Sequence, residues 1–381
     1  MISIIGGGPS GSYVASLLAK DFDTTIYEEH ERIGKPIQCT GIVSKNLQQY
    51  VDLKSSTVNK VKGAIFYSKN EKFELRTNKV QANIVCREKF DNYVKQKAID
   101  NGAKVLYNHR FISHSIIKNT GEISKKNNGA GLLKANFNVR TNGKNEQKQI
   151  ETKYLIGADG PNSSVAKSAN LLGERKNWFG VQATIKGKFD KEMVELHLGS
   201  VCPGFFGWIV PENEETARFG LACTEKPRFY FDKFMEKFSN REGYEPKIID
   251  WQGGLIPYYE KKKTQDGNVF LVGDAARQVK ATTGGGIVMG ILAGEALNQA
   301  IRTGKSYDKL WQKKIGKDLW MTKLIRDKLN KFDDNDYDSL IKTFDGKLGD
   351  VLKNSGDMDF PSKFVFKMLL AEPKLVKYAF K

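Results

Sequence analysis

The chain has 381 residues, with 61 Lys and Arg against 44 Asp and Glu, and a formal charge of +17. That length suits one large or two ordinary domains with a substantial core, and 36 glycines with only 10 prolines fit an α/β enzyme better than a disordered or fibrous chain. Four widely separated cysteines without a C-x-x-C pair argue against a disulfide framework or a zinc site, and no apolar run is long enough to span a bilayer. The opening Met1-Ile2-Ser3-Ile4-Ile5 already reads as a buried strand, which leaves no room for a signal peptide and points to the cytoplasm. Lysines spread along the chain and interleaved with acids describe a solvated surface. Their alternative use is attraction to an anionic membrane surface, with the protein peripheral at the inner face. No zinc-finger, RRM or helix-turn-helix signature points to nucleic acid.

In chain order, residues 3–5 read as a strand, 6–11 as a glycine loop, 12–20 as a helix with Val14, Leu17 and Leu18 on one face, and 24–27 as a strand. The loop Gly6-Gly7-Gly8-Pro9-Ser10-Gly11 is a G-x-G-x-x-G between strand and helix. Its first glycine permits a tight turn, the second lets backbone approach a pyrophosphate, and the third lets helix meet strand. The helix N-terminus then faces the phosphates. Glu28, with Glu29 beside it, ends the next strand where a carboxylate accepts hydrogen bonds from ribose hydroxyls. Glycine loops alone are common in turns; strand, helix and terminal acid together predict a bound dinucleotide.

The stretch Gly34-Lys35-Pro36-Ile37-Gln38-Cys39-Thr40-Gly41 follows. Most free cysteines are small buried hydrophobes. The alternative for Cys39 is a reactive thiol, with Lys35 four residues away to favour its thiolate if the two meet in space. A helix over 87–101 carries Phe90, Val94 and Ala98 at i, i+4, i+8, and a strand over 104–107 succeeds it. Segments 132–139 and 149–155, joined by Asn142-Gly143, predict a hairpin. Tyr154-Leu155-Ile156-Gly157-Ala158-Asp159-Gly160 is a strand ending in Asp-Gly. Short β runs fill 181–185, 194–198, 208–210 and 218–222. Leu271-Val272-Gly273-Asp274 is another strand ending in an acid, followed by Thr282-Thr283-Gly284-Gly285-Gly286-Ile287. Three successive glycines exceed what a turn needs and would let backbone press on a flat ring. After Ala293 the pattern is helical, with a charged and aromatic tail from Tyr307.

With Arg87 at the start of the second helix, these motifs resemble, in order, those of two-dinucleotide-fold flavoproteins of the hydroxybenzoate hydroxylase type, from Ile2 to about Leu297. The resemblance implies FAD, and no metal. Its binding residues would be Gly6, Gly8, Pro9, Ser10, Gly11, Glu28, Glu29, Arg87, Asp159, Gly160, Gly273, Asp274, Gly285, Gly286 and Ile287. It also implies a mixed α/β fold. A Rossmann-type FAD-binding domain occupies 1–180 and 258–305. A β-rich substrate domain occupies 181–257, with 55–85 a candidate addition to it, and a helical region follows at 306–381.

Two loops narrow the resemblance. Pro203-Gly204-Phe205-Phe206-Gly207-Trp208-Ile209-Val210-Pro211 resembles the P-x-x-Y-x-W-x-F-P signature of geranylgeranyl reductases, with Phe206 for the Tyr and Val210 for the Phe. Residues 35–41 resemble the K-x-x-x-C-x-G loop of archaeal members, which saturate the isoprenoid chains of ether phospholipids. That likeness implies a prenyl-lipid substrate, held by Phe205, Phe206, Trp208 and Pro211, and reduced with hydride from the flavin plus a proton. Cys39 and Lys35 would be catalytic. An aromatic-ring monooxygenase of the same fold and a non-catalytic flavin-binding lipid carrier are the alternatives. No second dinucleotide fingerprint occurs, which leaves NAD(P)H, ferredoxin or another reductant open as electron donor.

Overall fold

Ile2, Ile4, Ile26 and Ile156 face one side of a parallel sheet, while Ile5, Tyr27, Leu155 and Leu271 face the other. Both faces are covered, which is why these strands read as continuous apolar runs rather than alternating ones. The computed structural model describes residues 1–117, 131–141, 143–171 and 173–375. Its six-stranded sheet runs Gln265–Asp266, Val269–Leu271, Tyr154–Gly157, Ile2–Ile5, Thr24–Tyr27, Lys104–Leu106, parallel except at the first pair. Helices Pro9–Leu18, Arg87–Asp100 and Ile287–Thr303 pack on one face. The antiparallel strands His109–Ile116, Leu133–Thr141 and Lys144–Thr152 supply Phe111, Leu133 and Phe137 to the other.

Some boundaries differ from the sequence reading for local reasons. The first helix starts at Pro9, not at residue 12, because the fixed φ of proline suits the first helical position. The second hairpin strand starts at Lys144, directly after Gly143, and ends at Thr152. It is almost wholly exposed, so no apolar alternation announces it. Tyr154–Gly157 instead runs parallel to Ile2–Ile5 in the main sheet. Asn142 lies outside the described residues.

A second, seven-stranded sheet is ordered Lys247–Pro257, Asn177–Lys186, Thr216–Cys223, Gly207–Pro211, Met193–His197, Gly63–Tyr67, Lys72–Arg76. Its last two strands come from early in the chain, and Gly63–Tyr67 pairs in parallel with Met193–His197. Side chains alternate across it. Ile209, Phe219 and Leu221 pack with Phe231, Phe234 and Phe238 of helix Pro227–Glu242, whereas Trp208, Val210 and Val194 form a separate cluster on the opposite face. A small sheet of Ile42–Ser44, Ala82–Val85 and Thr57–Val61 adds Val61, Ala82 and Ile84 to that cluster.

The tail consists of helices Tyr307–Trp311, Lys317–Leu329, Asp334–Thr343, Lys347–Ser355 and Val365–Ala371. No helix among the described residues is long and apolar enough to cross a membrane. The tail is fastened by a buried ion pair, Lys280 Nζ to Asp359 Oδ1 at 2.6 Å. Ser44 Oγ and Asn46 Nδ2 donate to the second Asp359 oxygen, and Lys280 also donates to the Met358 carbonyl at 3.0 Å. Burial opposes ionisation of Asp359, yet Lys280 and these donors hold its carboxyl below the usual range. A depressed carboxylate contributes stability above its unfolded value that disappears as pH falls through the folded one. Asp359→Asn should therefore lower stability at pH 7 by about 3 kcal/mol, because it leaves Lys280 buried and unpaired. Denaturant unfolding at pH 7 and below about pH 4 checks this, the gap between the two proteins closing on the acid side.

Candidate active site

The glycine loop and the start of the first helix close one end of a cavity of about 1150 Å³ that runs on to the seven-stranded sheet and the helical tail. Gly6, at φ +98°, passes so close to the Asp159 strand end that a Cβ would sit 2.4 Å from the Ala158 carbonyl oxygen. A Cβ at Gly11 would lie 2.0 Å from the Gly6 carbonyl oxygen, so helix and strand meet there. Gly8 is different: a Cβ there would meet nothing within 4 Å, and the residue lines the cavity. It is also the N-cap of Pro9–Leu18 and brings no side-chain cap. The first-turn N–H groups are thus left facing open space, the arrangement that accepts an anion.

Pro9 and Ser10 line the same end. Ser10 Oγ fits against Gly273 and Gly290, where added Cβ atoms would stand 2.5 and 2.2 Å from it. Gly273 and Gly11 are therefore packing glycines, and neither lines the cavity. Glu28 is tied inward: its Oε2 accepts from Gly7 N at 2.8 Å, and its Oε1 from His30 N at 3.0 Å. It joins the glycine loop to the strand end, its Oε1 also meets His30 Nδ1 at 2.6 Å, and the residue lines the cavity. Glu29 also lines the cavity, with Arg110 at 3.7 Å.

The two strand-end aspartates have separate tasks. Asp159 accepts from Ser163 Oγ at 2.6 Å and Val165 N at 3.1 Å, so its carboxylate caps the short helix Ser164–Ser168 while Asp159 and Gly160 border the cavity. Burial raises its carboxyl against those hydrogen bonds. The carboxyl of Asp274 lies on the cavity wall with no such tether among the described residues. Burial pushes it up to about 6, with Arg87 pulling the other way. A Cβ at Gly286 would lie 2.7 Å from Asp274 Oδ1, so the glycine holds the carboxyl beside the start of Ile287–Thr303, another helix without a side-chain cap. Gly285, Gly286 and Ile287 line the cavity there. An open glycine cradle, two uncapped helix starts and an untethered buried carboxyl fit a dinucleotide carrying a polyol and a flat ring.

Beyond the triple glycine the wall becomes aromatic. Phe205 Cζ would be 3.3 Å from a Cβ on Gly284. Phe206 stacks on Phe205 at 4.4 Å between centroids, and Trp208 meets Phe206 edge-on at 5.9 Å. Trp208 Nε1 donates to Gln182 Oε1 at 2.9 Å, and Gln182 Nε2 to Gln252 Oε1 at 2.6 Å. Both glutamines line the cavity and were not singled out from sequence; their only signal is amide side chains within β patterns. Pro211 does not line it. The strand alternation that turns Trp208 and Val210 inward turns Pro211 to the other face.

The loop 34–41 lies between the seven-stranded sheet and the small sheet. Arg218 Nη1 of the first donates to the Thr40 carbonyl and to Val85 O at 3.0 Å, and Val85 N of the second donates to the Gly41 carbonyl at 2.8 Å. Gly34 packs on Glu88, where a Cβ would stand 2.9 Å from its Cα. Lys35 Nζ pairs with Glu88 at 3.3 Å, so its charge is spent on the loop's anchor. The cation at Cys39 is Arg87. Burial works against the Arg87 charge, but Asp91 and then Cys39 outweigh it and raise the guanidinium above its ordinary value. Asp91 accepts from Arg87 Nε at 3.0 Å and Nη2 at 2.9 Å, and the Cys39 sulfur also accepts from Gly41 N at 3.3 Å.

The tail closes the cavity with Ile325, Leu329, Leu352 and Phe364. Arg326, also missed from sequence, is fully buried there. It donates to the carbonyls of Ala281 at 3.1 Å and Thr282 at 3.0 Å, and its guanidinium lies 4.7 Å from the Phe205 ring centroid. It shares a helix face with Leu319 and Thr322, a spacing that could have marked it as inward-facing.

The model of the FAD binding domain family matches residues 1–228. The chain is 29% identical over 402 residues to the digeranylgeranylglycerophospholipid reductase of Methanocaldococcus jannaschii, covering 99% of this chain and 96% of that one. It is 28% identical over 385 residues to an uncharacterized protein of the same organism, covering 97% and 94%. A geranylgeranyl bacteriochlorophyll reductase-like protein from Thermoplasma acidophilum superposes with a TM-score of 0.80 at 23% identity, covering 99% and 97%, which shows a shared fold.

Two glycines separate folding from cofactor binding. Gly6→Ala should cost about 3 kcal/mol of stability through strain and the Ala158 clash. Gly8→Ala should change stability by less than about 0.5 kcal/mol yet weaken FAD binding about tenfold or more, by filling the space a pyrophosphate needs. Thermal melts paired with flavin fluorescence titrations distinguish the two. A raised carboxyl costs stability as pH rises through its folded value, because the unfolded chain ionises first. Asp274→Asn should therefore stabilise the FAD-free chain by about 2–3 kcal/mol at pH 7, with no gain near pH 4, while lowering its affinity for FAD. Unfolding curves at both pH values check this.

Proposed function

Since the chain belongs to the FAD binding domain family, we propose that it is an FAD-dependent reductase that saturates C=C bonds in the prenyl chains of archaeal-type glycerophospholipids. One observation carries this reading. The cavity is continuous from the open cradle at Gly8 and the triple glycine to the wall of Phe205, Phe206 and Trp208, and Cys39 lines it from a loop held between the two sheets. The full-length likeness to a digeranylgeranylglycerophospholipid reductase supports the substrate class.

An isolated trisubstituted alkene is unpolarised and offers no charge to grip, so binding must come from shape and apolar contact. Phe205, Phe206, Trp208 and Val210 supply that contact and exclude water from the reacting carbons. FAD, when bound and reduced, supplies the hydride. The chain must then deliver a proton to the other alkene carbon. Cys39 is the donor in this reading: its thiol gives the proton, with Gly41 N–H bonded to the sulfur. Lys35 acts through the loop by pairing with Glu88. Phe206 serves as an apolar wall, with no hydroxyl to join the proton transfer. The basic surface suits a peripheral protein that takes its lipid from an anionic membrane.

Cys39→Ala should retain FAD, seen by its visible absorbance, and slow alkene reduction about 100-fold or more. Incubating the dithionite-reduced protein with unsaturated archaeal lipid and weighing the product by mass spectrometry tests both points. A gain of two hydrogens per double bond is the expected result. Addition of one oxygen, or no mass change, sinks the reductase reading, and an undiminished Cys39→Ala variant sinks the role of the thiol.

A further inference from the structure

The last described helix turns apolar side chains to solvent beside the cavity wall. No residue of Val365–Ala371 is buried, and Phe366 and Leu370 are each 67% exposed. Phe366, Leu369 and Leu370 stand at i, i+3 and i+4, which places them on one stripe. The helix packs chiefly on Lys347–Ser355 and the turn Pro361–Lys363, contacts that leave this stripe uncovered among the described residues. Its N-cap, Phe364, lines the cavity together with Leu352, Gly356 and Met358, so the exposed stripe begins where the cavity wall ends.

Charge says what kind of surface fits there. From residue 360 to 375 the segment carries Lys363, Lys367 and Lys374 against Glu372, with Lys363 paired to Asp357 at 3.7 Å, which leaves Lys367 and Lys374 as the lysines available to a surface. Helix Lys317–Leu329 packs on the same turn and reaches the cavity through Ile325 and Leu329, and it exposes Trp320 at 51%. Aromatic, aliphatic and lysine side chains together suit the headgroup level of a bilayer. We propose that helix Val365–Ala371 is the element by which this chain docks on an anionic phospholipid bilayer. Phe366, Leu369 and Leu370 enter the headgroup–acyl boundary, Lys367 and Lys374 meet lipid phosphates, and a prenyl chain passes along Phe364 into the cavity without crossing water. This rests on the prenyl-lipid reading above.

Full-length, FAD-loaded protein is sedimented with phosphatidylglycerol vesicles and with phosphatidylcholine vesicles, beside a Phe366→Asp/Leu370→Asp variant. Wild type should sediment with the anionic vesicles, less with the zwitterionic ones and less in high salt. The variant should lose binding about tenfold or more, while its FAD content and its turnover of detergent-dispersed prenyl lipid stay unchanged, neither residue being part of the cavity wall. Equal vesicle binding by variant and wild type overturns the proposal. So does a wild type that reduces dispersed lipid but ignores vesicles, a result that leaves the reductase reading intact. A stripe that instead holds two copies of the chain together, seen as a wild-type dimer, a monomeric variant and no vesicle binding by either, overturns it as well. Vesicle binding abolished by the variant, in a protein that reduces no prenyl lipid, supports the docking helix and sinks the reductase reading.

Discussion

Taking an ammonium and a carboxylate out of water costs several kcal/mol per ion, recovered only when they meet closely and their remaining polar positions are filled. Lys280 and Asp359 satisfy that condition across almost eighty residues of chain. Lys280 lies four residues before the triple glycine, and its side chain packs against Gly285. Asp359 belongs to the tail and reaches Ser44 and Asn46 as well. One buried pair thus fastens the tail both to the triple-glycine loop on the cavity wall and to Ser44 and Asn46, which follow the Cys39 loop in the chain. Arg326 adds a second tie to the same loop through Ala281 and Thr282. Without these ties the tail would not close the cavity, and the aromatic wall would be wet.

The cavity depends on a division between backbone and side chains. At the cofactor end the useful feature is missing Cβ atoms: Gly6 and Gly11 let strand and helix touch, and Gly8 leaves room for a ligand. At the other end it is ring surface, with Phe205 seated on Gly284 and Phe206 and Trp208 extending the wall. The loop carrying Cys39 is held between these ends by Arg218 of the seven-stranded sheet, Val85 of the small sheet and Glu88 of helix Arg87–Asp100. Arg87 connects the two ends, since it pairs with Asp91, its charge is felt at Cys39, and it opposes the rise that burial imposes on the Asp274 carboxyl. Moving the 34–41 loop would therefore alter both ends of the cavity together.

The division between legible and hidden features follows from how far each signal reaches along the chain. The glycine loop, the strand-end acids and the triple glycine were legible because each is a local backbone requirement that sequence records directly. The aromatic wall was legible as composition, but its geometry was not. Pro211 was grouped with Trp208 until strand alternation put the two on opposite faces. The cation beside Cys39 was sought four residues away, at Lys35. It came from Arg87, forty-eight residues on, because the loop folds back on the start of that helix. Asp159 and Asp274 look alike as strand-end acids, yet one caps a helix and the other stands free on the cavity wall.

Sequence by itself determined the strand, glycine loop and helix of the dinucleotide motif, the strand-end acids and the candidate cysteine, since these rest on short-range periodicity, turn geometry and residue type. Only the tertiary structure decided what the helical tail does, which cation meets the cysteine, and that early strands Gly63–Tyr67 and Lys72–Arg76 complete the second sheet. Those outcomes are pairings between distant segments, selected by burial and charge compensation, and no local pattern encodes which distant partner a buried lysine, arginine or strand edge will find.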